Sequence, residues 1–339
     1  MELIVYYDED YPTWWVSREV SKEIANFLKS KGFLEYNAED LAKWMKKTID
    51  ANACCQSVVI FSQDIVPDTI CNWKSPSSLI RTYLDCGGSV VWIGDTPFYY
   101  WGRRPSSSSK FKMWCDEKKK EGKLLEDHEG KIAEGWGRDG PFNILGVMPI
   151  YMDFPSSRVR FTIQGKSFAL QDSWYGLRPI LINASDRRKK NLTILARGSK
   201  PERPVSRKKV WLRKDKEENG IPLQSIWSEL SKLIGLTPAF ISLISALYTF
   251  SAGFPPMVSL TFFTATIACS VAYALNWFFR SKEILVSAWL RNYDDKHPTS
   301  GFLRIWDCHL DRITDKMLGE LYNVILARIE MRMPKNSRK

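Results

Sequence analysis

Three short apolar runs alternate with amphipathic segments in the first ninety residues. The runs are LIVYY (3–7), SVVIF (57–61) and SVVWI (89–93), each of the length of a buried strand. The segments that carry apolar residues at helical spacing are 17–32, 38–53 and 76–88. Buried strands that alternate with such helices are typical of a parallel sheet covered on both faces. We therefore predict an α/β domain over residues 1–200, with a mostly parallel sheet and helices on both faces.

The pattern is weaker after residue 101. Three further strands are predicted at 158–163, 178–182 and 192–197. Near the C-terminus, residues 309–332 carry apolar side chains along one helical face. We predict a helical tail over residues 280–339, which would dock on the α/β domain or pair with a second copy in a homo-oligomer.

An uncharged apolar block separates the α/β domain from this tail. Residues 233–279 contain no Asp, Glu, Lys, Arg or His, and the sequence SAGFPPM (251–257) predicts a turn within them. The two resulting segments, 233–250 and 258–279, are each about 30 Å long as helices, close to the hydrocarbon thickness of a bilayer. The pattern predicts a two-helix transmembrane hairpin.

Basic residues on both sides of this block predict its orientation. A basic linker, 201–232, precedes the block, and further Arg and Lys residues follow it. The positive-inside tendency then puts both termini in the cytoplasm of a two-pass inner-membrane protein, with the lipid bilayer as a partner.

Charge and cysteine content narrow the classes further. The net charge of +11 is concentrated in 186–216, which lacks the interleaved aromatics of a stacking surface, so no specific nucleic-acid partner is predicted. Seven cysteines without a CxxC spacing indicate free thiols in a reducing compartment, and no zinc site follows from them and three histidines.

Polar residues follow three of the predicted strands. Ligands of parallel sheets bind at the carboxyl ends of the strands, so we expect a binding cleft there. An alternative interpretation is that these side chains cap the helices that follow. The candidate ligand-binding residues are Asp8, Glu9, Asp10, Ser62, Gln63, Asp64, Asp95 and Thr96.

The segments VVIFSQD and LDCGGSVVWIGDTPF resemble the core of the class I glutamine amidotransferase-like fold across residues 1–200. Active members of that family carry a nucleophilic Cys on the turn after a central strand and pair it with a His. The corresponding turn here is Gly94–Asp95–Thr96–Pro97. The resemblance therefore implies a member without amidotransferase activity, and makes an enzyme the less favoured class.

The stretch IVYYDEDYPT also resembles the first motif of haloacid-dehalogenase-like phosphohydrolases. That resemblance implies a Mg²⁺-dependent hydrolase in which carboxylates from two strand ends hold the metal against a phosphate. Its catalytic residues would be Asp8, Asp10 and Asp95, and Ser62 would supply a second-motif hydroxyl.

A third set of segments, YYDEDYPTWW, VVIFSQD and ICNW, resembles the TIR domain, but NWKSPSSLI lacks the catalytic Glu of its NAD hydrolases. The combination of a Rossmann-like domain with a membrane hairpin is similar in architecture to nucleotide-responsive effectors of prokaryotic defence systems.

Three functions follow as hypotheses from these patterns. The first is a membrane-anchored cytoplasmic sensor that binds a small molecule or nucleotide without turning it over and needs no cofactor. The second is a membrane-anchored phosphohydrolase with Mg²⁺ as cofactor. The third is a membrane effector whose hairpin responds to a nucleotide.

Overall fold

The computed structural model describes residues 1–72, 77–137, 139–146, 158–171, 174–182, 191–198, 284–293 and 301–330. The chain divides into two compact units, of which the first contains Met1–Arg203 and Ile284–Lys339. All the described residues belong to this first unit. The domain boundaries predicted at 200, 232 and 279 remain predictions.

Five parallel strands form one half of a nine-stranded sheet. They are β1 (Glu2–Tyr6), β2 (Leu34–Tyr36), β3 (Ser57–Phe61), β5 (Ser89–Ile93) and β13 (Gly301–Ile305), in the order β2-β1-β3-β5-β13. The chain passes from β1 to β2 on one side and then returns to β3 on the other. The sheet therefore has a topological switch point between β1 and β3, where ligands of doubly wound sheets bind.

Helices cover both faces of this parallel half, as their apolar stripes require. On one face lie α2 (Ala38–Asp50) and α3 (Leu79–Asp85), with Trp44 and Tyr83 in a core shared with Trp92. On the other lie α1 (Arg18–Ser30) and α7 (Asp315–Glu330), which share a core with Val91. Ser17 accepts a hydrogen bond from Val20 N at the start of α1, and Asn37 caps α2 in the same way.

The other half of the sheet is antiparallel, which corrects the mostly parallel sheet that the sequence predicted. It contains β9 (Arg160–Phe161), β10 (Ile180–Ile182), β11 (Leu192–Arg197) and β12 (Ile284–Arg291). β12 pairs antiparallel with β10, β11 and β13. Only residues 292–300 join β12 to β13, and a connection of that length permits an antiparallel pair but no parallel crossover.

The helical tail predicted over 280–339 is also wrong in its first half. β12 and β13 are strands, and β13 lies parallel to β5 with Phe302 opposite Val90. The sequence pattern did not indicate β13 as a strand, because Arg304 interrupts the apolar run of the GFLRI segment. The C-terminal segment thus completes the centre of the sheet.

A second, four-stranded sheet of mixed orientation lies within residues 66–135. Its strands are β4 (Val66–Pro67), β6 (Tyr100–Arg103), β7 (Leu124–Glu126) and β8 (Ile132–Gly135), in the order β4-β6-β8-β7. The remaining helices are α4 (Ser109–Lys120), α5 (Asp139–Leu145) and α6 (Ile163–Ser167). Trp101 of β6 stacks on Trp136 with 5.4 Å between ring centroids.

The predicted transmembrane hairpin is not supported. Within the described ranges, no helix combines the length and the apolar character needed to cross a bilayer. Residues 233–279, on which the prediction rested, and the basic linker 201–232 lie outside those ranges. The hairpin and the two-pass inner-membrane location are therefore not supported, whereas the lipid bilayer as a partner stays a prediction.

Candidate functional site

The carboxyl ends of β1, β3, β5 and β13 meet at one edge of the sheet, which we call the carboxyl edge. Six of the eight predicted residues are buried there: Asp8, Ser62, Gln63, Asp64, Asp95 and Thr96. Glu9 and Asp10 are exposed beside them. The structure adds three charged residues that the sequence did not single out, namely Arg104, Arg178 and Arg304.

Asp8 and Gln63 close the switch point between β1 and β3. The side-chain oxygen of Gln63 accepts a hydrogen bond from Asp8 N at 2.8 Å, and its amide nitrogen donates to Asp8 O at 3.0 Å. The Asp8 carboxylate accepts from Asp10 N and from Ala38 N, at the start of α2, both at 3.0 Å. These backbone contacts commit Asp8 to holding the loop after β1 against α2.

Arg104 covers this junction from the chain that follows β6. Its guanidinium lies 3.5 Å from the carboxylate of Asp8, 3.2 Å from that of Asp10 and 3.2 Å from that of Glu39. One cation therefore balances three acidic groups at the rim of the carboxyl edge. Asp10 and Glu39 are exposed, so their pairs with Arg104 contribute little to stability.

Asp64 holds the Trp14–Trp15 segment. Its two carboxylate oxygens accept hydrogen bonds from Trp14 N at 2.9 Å and Trp15 N at 2.7 Å. Burial, and then the neighbouring charge of Asp95, raise the pKa of Asp64 to about 7. The turn at Gly94 makes this proximity possible, since Gly94 has φ +89° and a Cβ there would lie 3.1 Å from Cβ of Asp64.

Asp95 is fully buried and is paired with Arg178. One guanidinium nitrogen of Arg178 lies 3.0 and 2.8 Å from the two carboxylate oxygens, and Thr96 N donates to the same carboxylate. Burial raises the pKa of Asp95, and the charges of Arg178 and Arg304 oppose that effect. Asp95 therefore acts as the anchor of Arg178.

The Arg178 guanidinium lies against aromatic rings and is partly open to solvent. It lies 4.5 Å from the ring centroid of Trp15 and 5.4 Å from that of Tyr99, and 22% of its side chain is exposed. His309 packs on Trp15, with 4.3 Å between centroids. Trp14, the preceding residue, is exposed, and its ring centroid lies 5.9 Å from that of Tyr100. We call Arg178, Trp14, Trp15 and Tyr99 the Arg178 seat.

Arg304 and Asp307 fix the segment that carries Arg178. The fully buried Arg304 donates to Arg178 O at 2.8 Å and to Gly94 O at 3.2 Å. Asp307 accepts from the Trp174 indole at 2.6 Å, and its own carbonyl accepts from Leu177 N. Burial raises the pKa of Asp307 to about 6. The charged residue Arg304 within an apolar strand could have indicated a buried polar network, although nothing local indicates its partners.

Gly176 lies where this segment contacts the sheet, and its replacement by alanine is expected to be destabilising. An added Cβ would lie 2.6 Å from Ser287 Oγ and 2.7 Å from a carboxylate oxygen of Asp307, both of which are fully buried. We expect Gly176→Ala to lower the free energy of unfolding by about 3 kcal/mol in urea titrations.

Gly319→Ala is the control for that substitution, since a Cβ at Gly319 in α7 meets nothing within 4 Å. It is expected to stabilise the protein by up to about 1 kcal/mol through helix propensity. Equal effects of the two alanines would contradict the close contact at Gly176.

A shared metal at Asp8, Asp10 and Asp95 finds no geometric support. Both oxygens of Asp8 accept backbone hydrogen bonds, and Asp95 is paired with Arg178. Across the part of the chain that the structure describes, no three His, Cys, Asp or Glu side chains are grouped to hold a metal ion.

Comparison with known proteins gives one family and no fold relative. The MJECL34 family matches residues 1–112. "Uncharacterized protein MJECL34" from Methanocaldococcus jannaschii is 38% identical over 102 residues, which cover 29% of this chain and 34% of that protein. The chain thus matches about a third of that relative's length. No solved structure matches it significantly.

These findings correct the family expected from the sequence. The matching family is MJECL34 over residues 1–112, and a class I glutamine amidotransferase-like domain fused to a transmembrane hairpin is not supported. The matched segment contains Asp8, Gln63, Asp64 and Asp95, whereas Arg178 lies beyond it. The segment matched by the family therefore contains Trp14, Trp15 and Tyr99 of the Arg178 seat but not Arg178.

Proposed function

We propose that this chain is a binding protein for a small anionic ligand with a planar ring, such as a nucleotide. The observation that carries the proposal is the Arg178 seat, where a partly exposed guanidinium lies close to the rings of Trp15 and Tyr99. A cation there favours a phosphate or carboxylate, and an exposed ring such as Trp14 favours stacking by a base.

The buried carboxylates support binding rather than turnover. Asp8, Asp64 and Asp95 each accept hydrogen bonds from backbone N–H groups, and Asp95 also pairs with Arg178. A carboxylate with these partners is poorly placed to attack a substrate, because attack would break the contacts that hold its loop. These three carboxylates therefore hold in place the loops around the Arg178 seat.

The position of the seat supports the proposal independently. It lies at the carboxyl edge, next to the strand ends where ligands of parallel sheets bind. The segments that form it come from after β1, after β5 and before β10, so that a ligand would contact loops from distant parts of the sequence. Such convergence is typical of sites in α/β proteins.

The experiment compares whole nucleotides with ligands that carry only the ring or only the charge. The melting temperature of the full chain is measured with AMP, GMP, CMP and UMP, and with adenosine and inorganic phosphate as partial ligands. A site-specific ligand raises stability by about 2.7 kcal/mol at a hundredfold excess over its dissociation constant. We expect a nucleotide to raise the melting temperature more than adenosine or phosphate does.

A second measurement separates binding from hydrolysis. The nucleotide is recovered after incubation with the protein and Mg²⁺, and inorganic phosphate is assayed. The proposal predicts an intact nucleotide and a melting-temperature shift that does not require Mg²⁺. Release of phosphate that depends on Asp8 would favour the phosphohydrolase, and the absence of a shift with every nucleotide would refute the proposed ligand class.

A further inference from the structure

Two cysteines meet at the amino edge of the sheet, opposite the carboxyl edge. Cys54 begins the short 3-10 helix Cys54–Gln56 that leads into β3, and Cys86 caps the C-terminus of α3, ahead of β5. β3 and β5 are parallel neighbours with Val58 opposite Ser89. The two segments therefore enter the sheet side by side, and Cys86 packs against the apolar cluster that contains Cys54, where the two thiols are neighbours.

A polar contact fixes the spacing of these two segments. The Ser57 hydroxyl donates to Cys54 O at 2.8 Å and is hydrogen-bonded to the Tyr83 hydroxyl, also at 2.8 Å. Tyr83 belongs to α3, the helix that Cys86 ends. Ser57 and Tyr83 thus tie together the two segments that carry the cysteines. Neither cysteine is in a disulfide.

We propose that Cys54 and Cys86 are a reversible dithiol–disulfide pair that reacts with low-molecular-weight disulfides. The Cys86 thiolate attacks one sulfur of the small disulfide, which forms a mixed disulfide and releases one small thiolate. Cys54 then gives up its proton to solvent and attacks the Cys86 sulfur, which releases the second small thiolate. In sum, two protein thiols are oxidised to one disulfide, and one small disulfide is reduced to two thiols.

The different exposure of the two residues sets the order of these steps. Cys86 is partly exposed and can be reached by a small disulfide, whereas Cys54 is fully buried. Burial, and then Cys86, raise the pKa of the Cys54 thiol to about 12. Since the thiolate is the attacking species, closure is the slow step, and its rate should rise about tenfold per pH unit between pH 7 and 9.

The experiment treats the folded full chain with glutathione disulfide and follows the mass of the intact protein. In the expected product Cys54 and Cys86 both resist alkylation and neither carries glutathione, and a transient with glutathione on Cys86 precedes it. Trypsin should then release residues 48–74 linked to residues 82–103. Dithiothreitol should restore both thiols.

Matched variants identify the partners, since residues 48–74 also contain Cys55 and Cys71. Cys55→Ser and Cys71→Ser should form the bridge at the wild-type rate, and Cys54→Ser should stop at the mixed disulfide. A bridge that persists in Cys54→Ser, or a wild-type chain in which the mixed disulfide never closes at pH 9, would overturn the pairing. A wild-type chain that does not react at all would overturn it as well.

Discussion

Replacement of Arg178 by methionine is expected to lower the free energy of unfolding by about 3–5 kcal/mol at pH 8. The substitution removes the partner that lies 2.8 Å from the fully buried Asp95 carboxylate. Burial already raises the pKa of Asp95, so without Arg178 the carboxyl group takes up a proton more readily. The loss should therefore be smaller at pH 5 than at pH 8 in denaturant titrations.

Arg81→Met is the control for this prediction. Arg81 is 28% exposed, pairs with Asp85 and lies 4.7 Å from the ring centroid of Tyr293. Because Asp85 is 48% exposed, the loss should be at most about 1 kcal/mol. The double variant Asp95→Asn/Arg178→Met should recover more than half of the stability lost in Arg178→Met. A similar cost at Arg81 and Arg178 would show that Asp95 does not depend on its arginine.

Stability is expected to fall as the pH rises from about 4 to about 8. The pKa of Asp64 is about 7 in the folded protein and has the ordinary value of 3.8 when unfolded, so the folded chain binds an additional proton between these values. The contribution is complete below about pH 4 and is lost as the pH passes 7. The shift corresponds to about 4 kcal/mol.

Asp64→Asn should flatten that dependence, because its amide does not ionise. Asp307→Asn should remove a second component, which ends near pH 6 because the pKa of Asp307 is about 6. Asp50→Asn, at the exposed end of α2, serves as the control and should keep the wild-type slope. A wild-type slope in Asp64→Asn would mean that Asp64 stays ionised in the folded protein.

The sequence predicted the parallel strands β1, β3 and β5 and their carboxyl edge, because local patterns determine both. The apolar runs that became β1, β3 and β5 are continuous, and the polar residues after them follow directly in the chain. The proximity of Asp64 and Asp95 follows from the pairing of β3 with β5. Asp8 is buried and accepts a hydrogen bond from Ala38 N of α2, whereas the exposed Asp10 makes no such contact with that helix.

The remaining parts of the site depend on contacts between residues far apart in sequence. Arg178 pairs with Asp95 across 83 positions, and Arg304 reaches Gly94 across 210. No local pattern indicates such pairs. Three strands of the antiparallel half, β9, β10 and β11, lie where strands were predicted at 158–163, 178–182 and 192–197. Their antiparallel orientation was missed because β12, with which β10 and β11 pair, follows a long apolar block and was interpreted as the start of a helical tail.

Calorimetric titration of AMP tests the central claim most directly, namely that the Arg178 seat binds an anionic ligand with a planar ring. The titrated proteins are the wild type, the Asp95→Asn/Arg178→Met variant and Arg81→Met. We predict that the double variant binds AMP at least about tenfold more weakly, a loss of about 1.4 kcal/mol, while Arg81→Met binds as the wild type does. Equal affinity of the double variant and the wild type for AMP would contradict the account, and so would a wild type that binds none of AMP, GMP, CMP and UMP.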